Sequence, residues 1–333
     1  MLDLNDSYAA LRGSVGVYPM TGSLLRLSGA QRQGMLSWLL ARTTEYSHPD
    51  TSEWSLVLDK TGRPAGTALV LLGEAEDLLL LDAAAGWLDA ACGAAPEQVH
   101  ERVEVTPAEG FAIAIEGPRS WEVVEPLIDQ PISDLLLNEV IGTTVGGRPV
   151  RLARTGTTSE FGYVVIGSGS IEAAMGVLAA RAAELGGGVI DPQALVRVHV
   201  ETNHPIIPEQ TRGLSITESG VSWLMSLTRD DAFYGDAALG VPAGTRRLVA
   251  AYARGQDFPA SGTSVFDEDN AVGTVQVAAP AAGCGDGIGL LLLDNPYCVP
   301  GLSLMTGDGQ VLETVSRPAV TPLSWVRTIG VRP

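Results

Sequence analysis

The chain has 333 residues, with 39 acidic against 21 basic side chains, a formal net charge of −18 at pH 7, and 45% hydrophobic residues. This length suggests two or three domains, each with enough residues to form a core. The acidity argues against a general nucleic-acid-binding protein, because phosphate neutralisation needs clustered basic side chains and Lys60 is the sole lysine.

The three cysteines, Cys92, Cys284 and Cys298, lack CxxC spacing, which disfavours a disulfide framework and a zinc site. The first residues show no basic segment followed by an apolar one, as a secretory signal would. Apolar stretches such as Leu78–Leu81 fall well short of the roughly 20 residues that cross a bilayer. We therefore expect a cytoplasmic protein without a metal, a membrane or a nucleic acid as partner.

The first hundred residues alternate strand and helix patterns. Ser23–Ser28 predicts a strand, and the apolar spacing after Gly29 predicts a helix. Three further strands, separated by short polar turns, form a predicted meander, and a helix follows them. These strands are 54–58, 65–72 and 77–81, and the helix is 85–92.

The same order recurs in the middle of the chain. A strand over 112–115 precedes a helix over 120–128, a hairpin joins 148–153 to 163–167, and an alanine-rich amphipathic helix over 171–185 stops at three glycines. Two similar α+β halves are therefore predicted, covering 1–110 and 111–240. Residues 240–244 are typical of a linker. Beyond them, short strands separated by Gly, Asp, Asn and Pro predict an all-β domain over 245–333, with strands at 247–252, 272–277, 288–293, 303–306 and 311–315.

Common catalytic and nucleotide-binding motifs are absent from the sequence, including GxxxxGK[ST], HExxH, GxSxG and a helix-opening GxGxxG. His199 and His204, with Glu201 between them, have a spacing that a metal site could use. A strand or loop there would, however, direct the two rings to opposite sides. Carboxylate pairs are common by chance in so acidic a chain, so none of them identifies a catalyst.

One segment, residues 151–164 (RLARTGTTSEFGYV), is less ordinary. Here a strand enters a polar turn with a single carboxylate, Glu160, and returns into a strand that carries Tyr163. A carboxylate fixed at a strand end can accept two hydrogen bonds from an amidine-like ring edge. The alternative interpretation of this segment is a surface hairpin.

The segment resembles the signature Arg-Thr-Gly-Tyr-Thr-Gly-Glu-x-Gly-(Phe/Tyr)-Glu of the glycine-cleavage T-protein family, which comprises folate-dependent aminomethyltransferases, demethylases and related folate-binding proteins. Further likenesses follow in the same order along nearly the whole chain. Residues 18–20 (YPM) resemble the family's Ser-His-Met, and 116–118 (EGP) its Gln-Gly-Pro. Residues 199–205 (HVETNHP) are similar to Arg-Leu-Glu-Ala-Gly-x-Pro, and 233–239 (FYGDAAL) to Phe-Ile-Gly-x-x-Ala-Leu.

The resemblance implies a cloverleaf of two α+β, ferredoxin-like halves around a central folate pocket, with a small C-terminal β-barrel. Carried over by position, Glu160 would clamp the pterin ring of tetrahydrofolate, because a carboxylate can bind its N–H and amino edge bidentately. Met20 would line the pocket and Tyr163 would support its wall. The glutamate tail of the folate would require arginines, for which Arg197 and Arg317 are the candidates.

The departures from the family pattern bear on activity. The aminomethyltransferases have an Asp after the turn that follows the second strand of the meander, and Gly66 aligns there. Because glycine cannot move a proton or stabilise an iminium, the glycine-cleavage reaction itself is disfavoured. Thr157 stands at the signature's Tyr and Val164 at its final Glu. The Lys-Gly-Cys-type motif of the iron–sulfur accessory branch is missing.

These observations favour a cytoplasmic, tetrahydrofolate-dependent one-carbon transferase of a divergent branch, acting on a small methyl or methylene donor. Tyr18, His204 and Tyr163 are the candidate proton donors to the leaving group. Two alternatives remain open from the sequence. One is a non-catalytic folate-binding accessory protein, and the other is the same fold repurposed for a substrate other than folate.

Overall fold

The computed structural model describes residues 1–239 and 245–332, so the predicted linker lies outside the described residues. The strands are β1 (Gly16–Pro19), β2 (Ser23–Ser28), β3 (Ser52–Leu58), β4 (Pro64–Leu71), β5 (Glu76–Ala83), β6 (Glu104–Pro107), β7 (Gly110–Glu116), β8 (Val140–Val145), β9 (Arg148–Ala153), β10 (Gly162–Ser168), β11 (Gly188–Val189), β12 (Arg246–Ala253), β13 (Ser264–Asp267), β14 (Asn270–Ala279), β15 (Gly287–Asp294), β16 (Ser303–Thr306) and β17 (Val311–Val315).

The α-helices are α1 (Leu4–Gly13), α2 (Arg32–Leu39), α3 (Trp87–Gly93), α4 (Glu97–His100), α5 (Ser120–Val124), α6 (Glu172–Glu184), α7 (Gln193–Thr202) and α8 (Ile216–Ser219). Short 3-10 helices cover Glu125–Leu127, Ser222–Leu224, Asp236–Ala238 and Leu323–Trp325. No helix within the described ranges is long and apolar enough to cross a membrane. In the same ranges, no group of three or more His, Cys, Asp or Glu side chains is arranged to hold a metal ion.

The first sheet has the strand order β3-β4-β5-β2-β6 and contains the predicted meander. The turn between β3 and β4 is fixed by Asp59, whose carboxylate accepts hydrogen bonds from the backbone N–H groups of Thr61 and Arg63. One face of the sheet packs on α2 and α3 through a buried cluster that includes Leu27, Leu36 and Val70. Burial of this apolar face is what stabilises the sheet.

The second sheet has the order β11-β1-β7-β10-β9-β8. It contains β1, which comes from the first twenty residues and pairs antiparallel with β7 and parallel with β11. The first half of the chain therefore contributes a strand to the sheet of the second half. The division at residue 110 stays a prediction, while the α+β class of both halves is confirmed.

The two sheets face each other across a buried apolar layer. Leu69, Leu71 and Leu80 of the first sheet pack against Val164 and Ile166 of the second. This layer also explains why Val164, at the position of the family's final Glu, is fully buried. A carboxylate there would lie unpaired among apolar side chains, which is costly.

The C-terminal strands form a closed barrel in the order β12-β15-β14-β13-β16-β17. All five strands predicted in this region are present, and β13 is an additional short strand that the sequence analysis missed. The barrel is fastened to α7 by Arg197, whose guanidinium donates to the backbone carbonyls of Ala281 and Asp286 at 2.9 and 2.8 Å. The predicted C-terminal β-barrel is confirmed by this closed sheet, while the domain bounds 245–333 stay a prediction.

Candidate functional site

A cavity of about 270 Å³ lies at the end of the apolar layer, between the two sheets and α7. Its size is near the lower end of the range of small-molecule sites, about 300–1,000 Å³. The walls are mostly apolar and carry a few convergent polar groups. Its lining residues are Tyr18, Pro19, Met20, Thr21, Trp54, Thr67, Leu80, Asp82, Thr157, Pro192, Leu195, His199, His204, Pro205, Ile206 and Ile207.

Glu116 lies directly behind the cavity wall and organises it. This fully buried carboxylate ends β7 and accepts five hydrogen bonds. Two come from the backbone N–H groups of Thr157 and Thr158 at 2.9 and 2.8 Å, and two from their hydroxyls at 3.0 and 2.6 Å. The fifth comes from the Tyr18 hydroxyl at 2.7 Å. Glu116 thus fixes the 154–161 loop against β1 and β7.

His199 and His204 lie together on the cavity wall, which corrects the prediction that their rings face opposite sides. His199 is in helix α7, not in a strand or loop, and Asn203 ends that helix in a left-handed conformation with φ 69°. The turn returns His204 to His199, with ring centroids 4.6 Å apart. Trp54 lies edge-on to His204 at 5.7 Å. The pair therefore belongs to an aromatic wall.

Both imidazoles are neutral in the folded protein at physiological pH. Burial, together with the nearby charge of Arg12, lowers the pKa of His199 to about 3. Burial and the neighbouring His199 ring lower the pKa of His204 well below its usual value. Neutral rings can accept a hydrogen bond or a proton, but His204 holds no extra proton to donate. Its assignment as a proton donor stays a prediction that this environment does not favour.

Tyr18 contributes its ring to the cavity, while its hydroxyl hydrogen is directed to Glu116. Burial and the adjacent Glu116 carboxylate raise the pKa of Tyr18 well above its usual value. A phenol in this state is a weak acid and its proton is already used in a buried hydrogen bond. Tyr18 is therefore better placed to support the wall than to protonate a leaving group.

Asp82 supplies a carboxylate to the cavity that the sequence analysis did not identify as functional. It lies in β5, opposite Thr67 of β4, and accepts a hydrogen bond from the Thr21 hydroxyl at 2.8 Å. Only glycine fits at position 66, next to Thr67, because a Cβ there would lie 2.1 Å from the carbonyl oxygen of Asp82. The carboxylate of this cavity thus comes from β5 and not from β4.

Glu160, the predicted pterin clamp, lies outside the cavity lining. Its Oε1 accepts a hydrogen bond from the Leu323 N–H at 3.1 Å, and its Oε2 accepts from the Ser324 N–H and hydroxyl at 2.9 and 2.7 Å. The Arg12 guanidinium lies 3.6 Å from Oε1. The carboxylate therefore caps the C-terminal 3-10 helix, and its two oxygens are occupied by the chain itself.

Arg197 and Tyr163, also predicted to bind the cofactor, lie away from the cavity lining as well. Arg197 is held by the Glu201 carboxylate at 3.0 Å and by the barrel carbonyls, so its role here is to join α7 to the barrel. Tyr163 is fully buried in the core of the second sheet with its hydroxyl unpaired. Burial raises the pKa of Tyr163, which argues against it as a proton donor.

Met20 lines the cavity, as the resemblance implies. Arg317 is a special case, because its Nη1 is buried without a hydrogen-bond partner among the described residues. Burial lowers the pKa of Arg317 to about 10. The guanidinium lies against Gly220. Arg317 is therefore a partly buried cation with an unpartnered Nη1, and it lies outside the cavity lining.

The fold defines a class of protein in which two facing β-sheets enclose a cavity and a β-barrel follows them in the chain. No protein-family model matches the chain. Curated relatives include the aminomethyltransferase of Saccharopolyspora erythraea, 25% identical over 321 residues, covering 93% of this chain and 88% of the relative. The aminomethyltransferase of Thermus thermophilus is 26% identical over 280 residues, covering 81% of this chain and 77% of the relative.

Among solved structures, the glycine cleavage system aminomethyltransferase T of Bartonella henselae matches with a TM-score of 0.80 at 17% identity. The match covers 96% of this chain and 90% of that one, which shows a shared fold. Together with the curated relatives, it confirms the resemblance found in the sequence. The chain is therefore similar in sequence to aminomethyltransferases along most of its length, and it shares the fold of the glycine-cleavage T-protein.

If Glu160 caps the C-terminal segment, Glu160→Gln will loosen that segment and leave the cavity walls unchanged. The amide of Gln is a poorer acceptor for the two N–H groups, and each buried donor left unpaired costs about 1–3 kcal/mol. Hydrogen exchange at Leu323 and Ser324 is expected to rise about 10-fold or more. Glu184→Gln, at an exposed position, is the control. Unchanged protection at both amides would contradict the capping role.

The two neutral histidines also predict a pH dependence of stability. The unfolded chain protonates them below pH 6.5 and the folded chain does not, so the unfolded state binds more protons there. The contribution of the two histidines to the free energy of unfolding is therefore complete above pH 6.5, and it falls as the pH drops below that value. Between pH 7 and 5 we expect a loss of about 2 kcal/mol for each histidine.

Urea denaturation at pH 7, 6 and 5 measures this dependence. The fall in the free energy of unfolding between pH 7 and 5 will be smaller in His199→Gln and in His204→Gln. It will be unchanged in His100→Gln, whose side chain is exposed. A wild-type free energy of unfolding that stays constant from pH 7 to 5 would show that the two rings are not held neutral.

Proposed function

We propose that this chain is a tetrahydrofolate-dependent transferase of methyl or methylene units, from a branch of the T-protein family distinct from the aminomethyltransferases. The observation that carries the proposal is the cavity itself, which lies where the two sheets meet and combines apolar walls with one carboxylate and two neutral imidazoles. A site of this composition suits a ring with a few polar edges.

The residues fit tetrahydrofolate in two respects. Met20, Leu80 and Leu195 give the cavity apolar walls against which a ring can pack. Arg317 offers a buried Nη1 without a partner among the described residues, which a carboxylate of the glutamate tail would satisfy. Glu160 does not fit the role of ring clamp in this arrangement, because Leu323 and Ser324 occupy its oxygens.

Tetrahydrofolate, when bound, supplies the nitrogen that accepts the one-carbon unit. The chain's own residues then have to hold two ligands together and handle one proton. Asp82, hydrogen-bonded to the Thr21 hydroxyl, is placed to stabilise positive charge in the cavity. It would take the electrostatic part of the role that Gly66 cannot fulfil.

A second candidate is a substrate other than folate in the same cavity. It is favoured by the absence of Lys and Arg from the cavity lining within the described part of the chain. With Asp82 as the one carboxylate of that lining, the cavity walls suit a small neutral or cationic molecule better than an anion. Titration of the protein with tetrahydrofolate separates this candidate from the first.

Isothermal titration with tetrahydrofolate and with tetrahydropterin, which lacks the glutamate tail, tests the proposal. Wild type is expected to bind both, with the tail adding affinity that weakens as salt rises. Arg317→Ala should lower the affinity for tetrahydrofolate about 10-fold, or about 1.4 kcal/mol, and leave the affinity for tetrahydropterin unchanged. Arg26→Ala, an exposed cation on the first sheet, is the control.

Absence of binding by wild type to either compound would overturn the folate proposal and favour the second candidate. An equal loss of affinity for both compounds in Arg317→Ala would show that Arg317 does not bind the glutamate tail. Incubation of the folate-loaded protein with methylated amines then distinguishes a transferase from a binding protein, by the appearance of a one-carbon folate in mass spectrometry.

A further inference from the structure

Four side chains that depart from the family pattern form a single hydrogen-bonded group at the cavity. Tyr18 stands at the family's Ser, Glu116 at its Gln, Thr157 at its Tyr and His199 at its Arg. The Tyr18 hydroxyl donates to Glu116, the Thr157 hydroxyl also contacts Glu116, and His199 Nε2 lies 3.1 Å from Thr157 Oγ1. The departures are therefore coupled in space, although they are far apart in the sequence.

The direction of each hydrogen bond follows from the donors available. Glu116, as a carboxylate, only accepts, so the Thr157 hydroxyl donates its hydrogen to Oε1 at 3.0 Å. The Thr157 oxygen is then left with lone pairs and can only accept from His199. His199 must carry its hydrogen on Nε2. In a neutral ring the other nitrogen, Nδ1, then has no hydrogen.

The unprotonated nitrogen has no hydrogen-bond partner among the described residues. It is also not one of the fully buried polar atoms that lack a partner, as the Tyr163 hydroxyl is. Because His199 lines the cavity, this acceptor belongs to a side chain that a ligand there would contact.

We propose that Nδ1 of His199 accepts a hydrogen bond from a substrate N–H or O–H in the cavity, and that Thr157 and Glu116 are positioning residues that fix the tautomer of His199. The ring stays neutral when the substrate binds, and its Nε2–H remains bonded to the Thr157 oxygen. The substrate is thereby selected for a donor group at this point of the wall.

The proposal deepens the proposed function by naming a hydrogen-bond acceptor for the substrate, and it rests on that function only for the identity of the substrate. Glu116 is buried and forms no ion pair of 4.0 Å or less among the described residues. Its burial is compensated by the five hydrogen bonds that it accepts.

The chain offers a matched pair of variants for a test that needs no ligand. Thr157 and Thr158 are adjacent, both are buried, and both hydroxyls donate to Glu116, but only Thr157 reaches His199. Thr157→Val therefore removes the link to the imidazole, whereas Thr158→Val removes an equivalent hydrogen bond and leaves the link intact. Thr157→Ser restores the hydroxyl.

Nitrogen NMR of histidine-labelled, ligand-free protein at pH 7 measures the tautomer, with the His199 signals assigned by their loss in His199→Gln. Wild type, Thr158→Val and Thr157→Ser should show one Nε2–H tautomer, and Thr157→Val a mixture. The same pattern in Thr157→Val and Thr158→Val, or an Nδ1–H tautomer in wild type, would overturn the proposal. Failure of wild type to bind folate would leave this result unaffected, so the two proposals fail separately.

Discussion

The arrangement of the site depends on one buried carboxylate. Glu116 ends β7 and accepts five hydrogen bonds from β1 and from the 154–161 loop, so it joins three segments that are far apart in the sequence. A buried carboxylate is stable only when its lone pairs are satisfied. The loop must therefore adopt the conformation that offers both backbone N–H groups and both hydroxyls. That conformation in turn places Thr157 against His199.

The barrel and the C-terminal segment fix the same region from the outside. Glu201, in α7, binds Arg12 of α1 at 2.7 Å and Arg197 at 3.0 Å, and Arg197 holds the barrel carbonyls. Glu160 faces this outer side and caps the last 3-10 helix. The loop is thus held on one side by Glu116 of β7, behind the cavity wall, while its own Glu160 binds the C-terminal segment.

Much of the fold could be predicted, because strand alternation, turn residues and helix stops are local signals. The position of β1 in the second sheet could not be predicted, because it depends on pairing with β7, which lies almost a hundred residues further along the chain. The site was harder still. Motif order identified the region of Glu160 but not the direction of its side chain. Asp82 was missed because its role comes from cross-strand register with Thr67, and His199 because α7 was not predicted as a helix.

If the cavity between the sheets is the ligand site, a large side chain that fills it will prevent binding. Leu195 lines the cavity, whereas Leu137 is 72% exposed and serves as the matched control. Calorimetric titration of tetrahydrofolate into Leu195→Trp and Leu137→Trp measures the difference. Leu195→Trp is expected to lose binding while keeping a cooperative unfolding transition, and Leu137→Trp is expected to bind as wild type does. Undiminished binding by a folded Leu195→Trp variant would show that the cavity is not the ligand site.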